Sequence, residues 1–93
     1  MNNFKYEIAN DTATITGYTG AGGAVTIPST VDGLPVTAIG YQAFECCHGL
    51  TSITLPNSIT AIDAYAFVNC IGLTSITLGN NITIIGARAF YGC

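Results

Sequence analysis

The chain has 93 residues, enough for one small domain. Charged residues make up 8% of it, and the net charge of −3 sets five acids against only two bases, Lys5 and Arg88. Two bases cannot form the stripe that displaces counterions from phosphate, which argues against nucleic-acid binding, and no stretch reaches the ~20 apolar residues of a membrane span.

At the start, Met1-Asn2-Asn3-Phe4 has neither a basic segment nor an apolar core of the kind that marks a secretion signal. A signal and an anchor, if the protein is exported, are expected outside this chain. Phe4, Tyr6 and Ile8 alternate with polar neighbours, as do Ala13 and Ile15, so two short strands are expected. Asn10-Asp11 between them suits a two-residue hairpin turn. Residues 1–25 are therefore expected to form an N-terminal β cap. The run Gly17-Tyr18-Thr19-Gly20-Ala21-Gly22-Gly23 lacks the Lys-Ser/Thr and the helix of a phosphate loop. It is expected to be a flexible lead-in to the next strand.

From there the sequence repeats. Gly49 to Cys70 and Gly72 to Cys93 match at an offset of 23, with 15 of 22 positions identical. Another step back aligns the stretch from Val36 to Cys47 with that from Ile59 to Cys70. The strand Val25-Thr26-Ile27-Pro28 aligns with Ile53-Thr54-Leu55-Pro56 only at 28, so a loop around Asp32-Gly33-Leu34-Pro35 adds five residues to the first repeat. Three repeats are expected, 26–48, 49–71 and 72–93, as part of a longer array.

Some columns keep their character from repeat to repeat: Val36/Ile59/Ile82, Ile39/Ile62/Ile85, Ala43/Ala66/Ala89, Phe44/Phe67/Phe90 and Cys47/Cys70/Cys93. If each repeat is one turn of a solenoid, these columns stack into a common core. Gln42/Tyr65/Arg88, Glu45/Val68/Tyr91 and Cys46/Asn69/Gly92 vary and are expected to face water. Leu50 to Leu55 reads as a strand ended by Pro56, Ile59 to Ile62 as a second extended piece, and the Ala-Tyr-Ala-Phe and Ala-Arg-Ala-Phe segments as tight helical or 3₁₀ turns.

The spacing carried by Leu50, Ile53, Leu55, Pro56, Ile59, Ile62, Ala66, Phe67 and Cys70, and again from Leu73 to Cys93, resembles the BspA-type (Treponema-type) leucine-rich repeat. One departure is Gly79, where that repeat usually has Pro. The resemblance implies a repeat solenoid, mainly β with short helical or 3₁₀ turns: a leucine-rich-repeat right-handed coil with an N-terminal β-hairpin cap. It also implies a family of surface or secreted proteins from host-associated bacteria and some protozoan parasites. Several members are adhesins for host matrix proteins such as fibronectin and fibrinogen.

Four cysteines and His48 raise the question of chemistry. Cys46, Cys47, Cys70 and Cys93 with His48 can be written as a zinc set, but they lack the paired close spacing of a zinc site. Cys47, Cys70 and Cys93 lie one period apart, so a buried ladder is expected, with a disulfide and a metal site as the alternatives. Cys47 beside His48 has no third orienting residue for nucleophilic catalysis, and Glu7, Asp11, Asp32, Glu45 and Asp63 show no paired spacing for acid–base work. No catalytic residue, cofactor or metal is expected.

The surface remains. Ser52, Thr54, Ser75 and Thr77, with Thr26, are expected to line the outer side of the main sheet, and Thr37, Thr60 and Thr83 to form a second hydroxyl column whose members satisfy one another. Tyr65 and Arg88, beside Val68 and Tyr91, form an aromatic-plus-arginine cluster of the kind enriched in interface hot spots. The expected function is a non-catalytic protein-binding module of a cell-surface or secreted adhesin, with Ser52, Thr54, Tyr65, Ser75, Thr77, Arg88 and Tyr91 as contact residues and a host extracellular matrix protein as partner. The alternative is a structural spacer that displays another domain. Self-association is expected through the edge formed by residues 72–93.

Overall fold

A computed structural model describes residues 4–93; the reading of Met1-Asn2-Asn3 and the first three residues of the expected cap lie outside it. The described chain opens with β1 (Phe4–Ala9) and β2 (Thr12–Tyr18), paired antiparallel. Asn10 and Asp11 turn the corner at φ 55° and 62°. Two consecutive left-handed residues match the twist of the flanking strands, and Asn and Asp tolerate that conformation better than most.

β3 (Gly23–Thr26) follows, then β4 (Thr30–Val31) and β5 (Leu34–Ile39). The five extra residues of the first repeat are not a plain loop. β4 and β5 pair antiparallel around Asp32-Gly33, both at positive φ, and Val31 is buried. The remaining strands are β6 (Leu50–Thr54), β7 (Ala61–Ile62), β8 (Ser75–Thr77) and β9 (Ile84–Ile85).

The chain alternates between two sheets. β2, β5, β7 and β9 pair in parallel with β1 on the outer edge, while β3, β6 and β8 form the second sheet, also parallel. Every repeat thus gives one strand to each sheet, producing a β-solenoid of about three turns that is mainly β. Register follows the repeat: Ile53 faces Ile76, and Ile39 faces Ile62. The segments expected to be helical or 3₁₀ are hydrogen-bonded turns, and no helix occurs among the described residues. Their amides have a better use than an internal helix: Phe44 N–H donates to Ala66 O at 2.7 Å and Phe67 N–H to Ala89 O at 2.7 Å, tying each rung to the next.

The predicted core columns point inward. Val36, Ile39, Phe44, Leu50, Ile59, Ile62, Phe67 and Cys70 are fully buried. The Phe column stacks, with ring centroids 4.9 Å apart for Phe44–Phe67 and 5.2 Å for Phe67–Phe90. Tyr18 of the hairpin stacks on Phe44 at 5.3 Å, so the hairpin continues the aromatic column. Val68, expected on the surface, is instead buried; it sits in the middle rung, with a turn of chain on either side of it. In the last rung the columns open out: Ile82, Ile76 and Phe90 are only partly covered, Leu78 is 39% exposed and Ile85 50%.

Candidate binding surface

The glycine-rich lead-in is partly strand rather than loop throughout. Gly17 and Tyr18 belong to β2 and Gly23 to β3, and between them Gly22 N–H donates to the Tyr18 hydroxyl at 3.1 Å. Gly22 sits at φ 97°, and a Cβ there would lie 2.5 Å from the Gly49 carbonyl, so only glycine lets the first two rungs approach.

The expected contact residues separate into two groups. Ser52 pairs with Ser75 and Thr54 with Thr77 across β6 and β8, and Thr26 of β3 faces Thr54. Thr26, Thr54, Ser75 and Thr77 are exposed and Ser52 half-buried, forming a hydroxyl array on the outside of this sheet. The second hydroxyl column behaves differently from expectation. Thr60 Oγ1 donates to Thr37 O at 3.3 Å and Thr83 Oγ1 to Thr60 O at 3.2 Å. The hydroxyls bond to the backbone of the preceding rung rather than to one another, because a carbonyl with a spare lone pair lies one rung away.

Tyr65, Arg88 and Tyr91 come together on the turns. Arg88 Nη1 donates to the Tyr65 hydroxyl at 3.2 Å, and the guanidinium carbon lies 5.8 Å from the centroid of Tyr91, which is 61% exposed. Tyr41 extends this cluster by one more rung. It is 58% exposed and packs edge-on against Tyr65 at 5.9 Å. Sequence reading missed Tyr41 because its column, Tyr41/Ala64/Ala87, holds an aromatic ring only once. The Gln42/Tyr65/Arg88 column has another property: all three residues are left-handed, at φ 57°, 58° and 57°. Side chains other than Gly, Asn and Asp rarely adopt this region. The rungs hold Tyr65 and Arg88 there through bonds such as Tyr65 N–H to Ala87 O at 3.2 Å.

On the other sheet, Thr14, Ala38, Ala61 and Ile84 pair in succession and point outward, opposite the buried Ile15, Ile39 and Ile62. Small side chains on three of these four strands leave an open groove of about 310 Å³, bordered by Gly40, Asp63 and Gly86. Asp63 Oδ1 accepts the Ala64 N–H at 2.8 Å, which fixes the carboxylate at the groove wall.

All four cysteines are free. Cys70 Sγ donates to Phe44 O at 3.0 Å and Cys93 Sγ to Phe67 O at 3.1 Å, tying rungs together. Of the buried ladder expected from Cys47, Cys70 and Cys93, however, only Cys70 is buried, while Cys47 is half-buried and Cys93, with no rung stacked beyond it among the described residues, is exposed. Burial pushes the Cys70 thiol up to about 12, and burial with the neighbouring Cys46 raises Cys47 as well. Both shifts run opposite to what a nucleophilic cysteine needs, and His48, beside Cys47, is exposed. No helix among the described residues is long and apolar enough to cross a membrane.

A family model for the BspA type leucine-rich repeat region matches residues 24–93. A leucine-rich repeat protein of T. pallidum superposes with a TM-score of 0.95 at 38% identity, covering 98% of this chain and 44% of that one. A leucine-rich cell surface protein of Faecalibacterium prausnitzii gives 0.88 at 35%, covering 100% of this chain and 27% of that one. A leucine-rich repeat protein of Bacteroides capillosus gives 0.86 at 33%, covering 97% and 71%. Comparison with curated protein sequences returned no match. The chain therefore spans less than half the length of the T. pallidum protein and about a quarter of the F. prausnitzii one.

Proposed function

The chain belongs to the BspA-type leucine-rich repeat family, and from that membership we propose that it is the protein-binding repeat module of a cell-surface or secreted adhesin. Repeats of this family commonly mediate protein interaction and are typically non-catalytic. The observation that carries the reading is the ridge Tyr41–Tyr65–Arg88–Tyr91, which crosses three rungs on their turns. Tyrosine and arginine give large contact area for little lost rotamer freedom, the property that makes them frequent interface anchors. Arg88 is already held by Tyr65, so a partner meets a preorganised guanidinium. Ser52, Thr54, Ser75 and Thr77 form a second, flat contact face on the β3–β6–β8 sheet. The description of the F. prausnitzii relative as a cell surface protein supports the proposed location.

Residues 1–25 serve in this proposal as a cap and the repeats 26–48, 49–71 and 72–93 as the binding body. The partner class is a host extracellular matrix protein, and a second copy of the chain is a further partner through residues 72–93. Biolayer interferometry against immobilised fibronectin and fibrinogen, beside a Tyr65→Ala/Arg88→Ala/Tyr91→Ala variant, tests the first of these. Saturable binding that the triple variant weakens at least roughly tenfold supports the ridge as the contact. Binding unchanged in the variant removes the ridge from the interface, and no binding by either protein favours a spacer that displays another domain.

A further inference from the structure

The groove on the β2–β5–β7–β9 sheet lies apart from the hydroxyl face and has no role in the proposal above. Its floor is Thr14, Ala38 and Ala61, and Ile84 closes one end where the same column becomes large. At about 310 Å³ it stands at the small end of ligand clefts. Two polar groups are built into it. One is the Asp63 carboxylate, which spends Oδ1 on the Ala64 amide and keeps Oδ2 for an occupant. The other is Thr14.

These features select among occupants. A peptide backbone brings an N–H and a C=O at every residue, and each costs free energy if buried unpaired. The groove offers it almost nothing, because β5 and β7 spend their own backbone groups on neighbouring strands at both edges. An anionic ligand meets Asp63 in a chain of net charge −3, with no cation among the groove residues. A neutral sugar ring fits both constraints. It presents an apolar C–H face to Ala38 and Ala61, and adjacent hydroxyls that one carboxylate and one threonine can engage. We infer that this groove binds a neutral sugar unit of an oligosaccharide, with Asp63 as the hydroxyl acceptor and Ala38 and Ala61 as the floor.

The sheet itself supplies a clean test. Ile84 already occupies the column of Ala61 one rung on, so Ala61→Ile fills the groove with a residue that this column accommodates. Asp63→Asn is the second variant, since it keeps the oxygen that caps Ala64 and removes the charge. Maltotriose, cellotriose and mannotriose are titrated by isothermal calorimetry and saturation-transfer NMR, with trigalacturonate as the acidic control and circular dichroism as the check on folding. The expected result is millimolar or tighter binding of at least one neutral trisaccharide, weakened roughly tenfold or more by either folded variant and by the acidic control. Absence of binding by all three neutral sugars overturns the inference, as does equal binding by folded Ala61→Ile, equal binding by folded Asp63→Asn, or preference for trigalacturonate. The Tyr65, Arg88 and Tyr91 substitutions leave the groove residues intact, so failure of matrix-protein binding and failure of sugar binding are separate results.

Discussion

Cys70 Sγ lies against the Phe44 carbonyl, and burial holds the thiol neutral until about pH 12. In the unfolded chain a thiol loses its proton near pH 9.0. Between these values the unfolded state binds fewer protons than the folded one, so stability is fully present below about pH 9 and falls as pH rises toward 12. Thermal unfolding measured from pH 7 upward should show this alkaline loss, and Cys70→Ala should start less stable but decline less steeply. The left-handed residues give a second prediction. Cys46, Asn69 and Gly92 occupy one column at φ 57°, 60° and 80°. Asn69→Ala should cost about 1 kcal/mol in chemical denaturation, because alanine lacks asparagine's tolerance of that region. Cys46→Gly should cost nothing or stabilise slightly. The Asn and Gly in this column signal a left-handed turn in the sequence itself, yet read as variability alone they indicate only exposure. Tyr65 and Arg88 carry no such signal, since neither favours positive φ; their conformation is imposed by stacking of one rung on the next.

At the scale of elements, the Phe column shows how position within the stack sets the cost of a change. Phe67 has a ring on each side and is fully buried, whereas Phe90 has a stacking partner on one side and is partly exposed. Phe67→Ala should therefore lose ~3–5 kcal/mol in denaturant titration, and Phe90→Ala clearly less. Equal losses would mean that the end rung is as tightly packed as the middle one. The strands and the buried columns were legible in the sequence because a 23-residue period repeats the same demand at the same place. The β4–β5 hairpin was not read, although Asp32-Gly33 is a strong two-residue turn signal. Its strands are too short to show alternation, and it occurs only once. The turns were misread as helical because Ala-rich tetrapeptides favour helix locally, while inter-rung bonds such as Cys46 N–H to Val68 O at 2.8 Å decide the outcome. The groove escaped notice for a related reason: small residues in an outward column look like neutral filler until neighbouring strands are aligned.

For the whole molecule, the last rung presents Ile84 at 61% exposure, Ile85 at 50% and Tyr91 at 61%, and β8 and β9 each pair on one side only among the described residues. Unpaired edges with apolar side chains recruit further strands. Light scattering of the full chain across a concentration series should show reversible association, and Ile85→Lys should shift the sample toward monomer. A strictly monomeric wild type at high concentration would remove the second copy from the list of partners. The opposite end is quite different in kind. There the hairpin docks Tyr18 on Phe44, and Tyr6 donates its hydroxyl to Asp32 at 2.8 Å. Among the rungs, the two later ones are near copies of each other, so during assembly a strand such as β8 could pair with the partner meant for β6 and leave a loop of one period hanging out. Among the described residues, the first rung alone has features that the two later rungs lack: the N-terminal hairpin, the Asp32-Gly33 turn and the Gly22 corner. We expect it to serve as the reference mark from which the later rungs are counted. Closure from this end inward makes each correct pairing local once the previous one is in place, and pulsed hydrogen exchange should find β2 and β5 protected before β8 and β9.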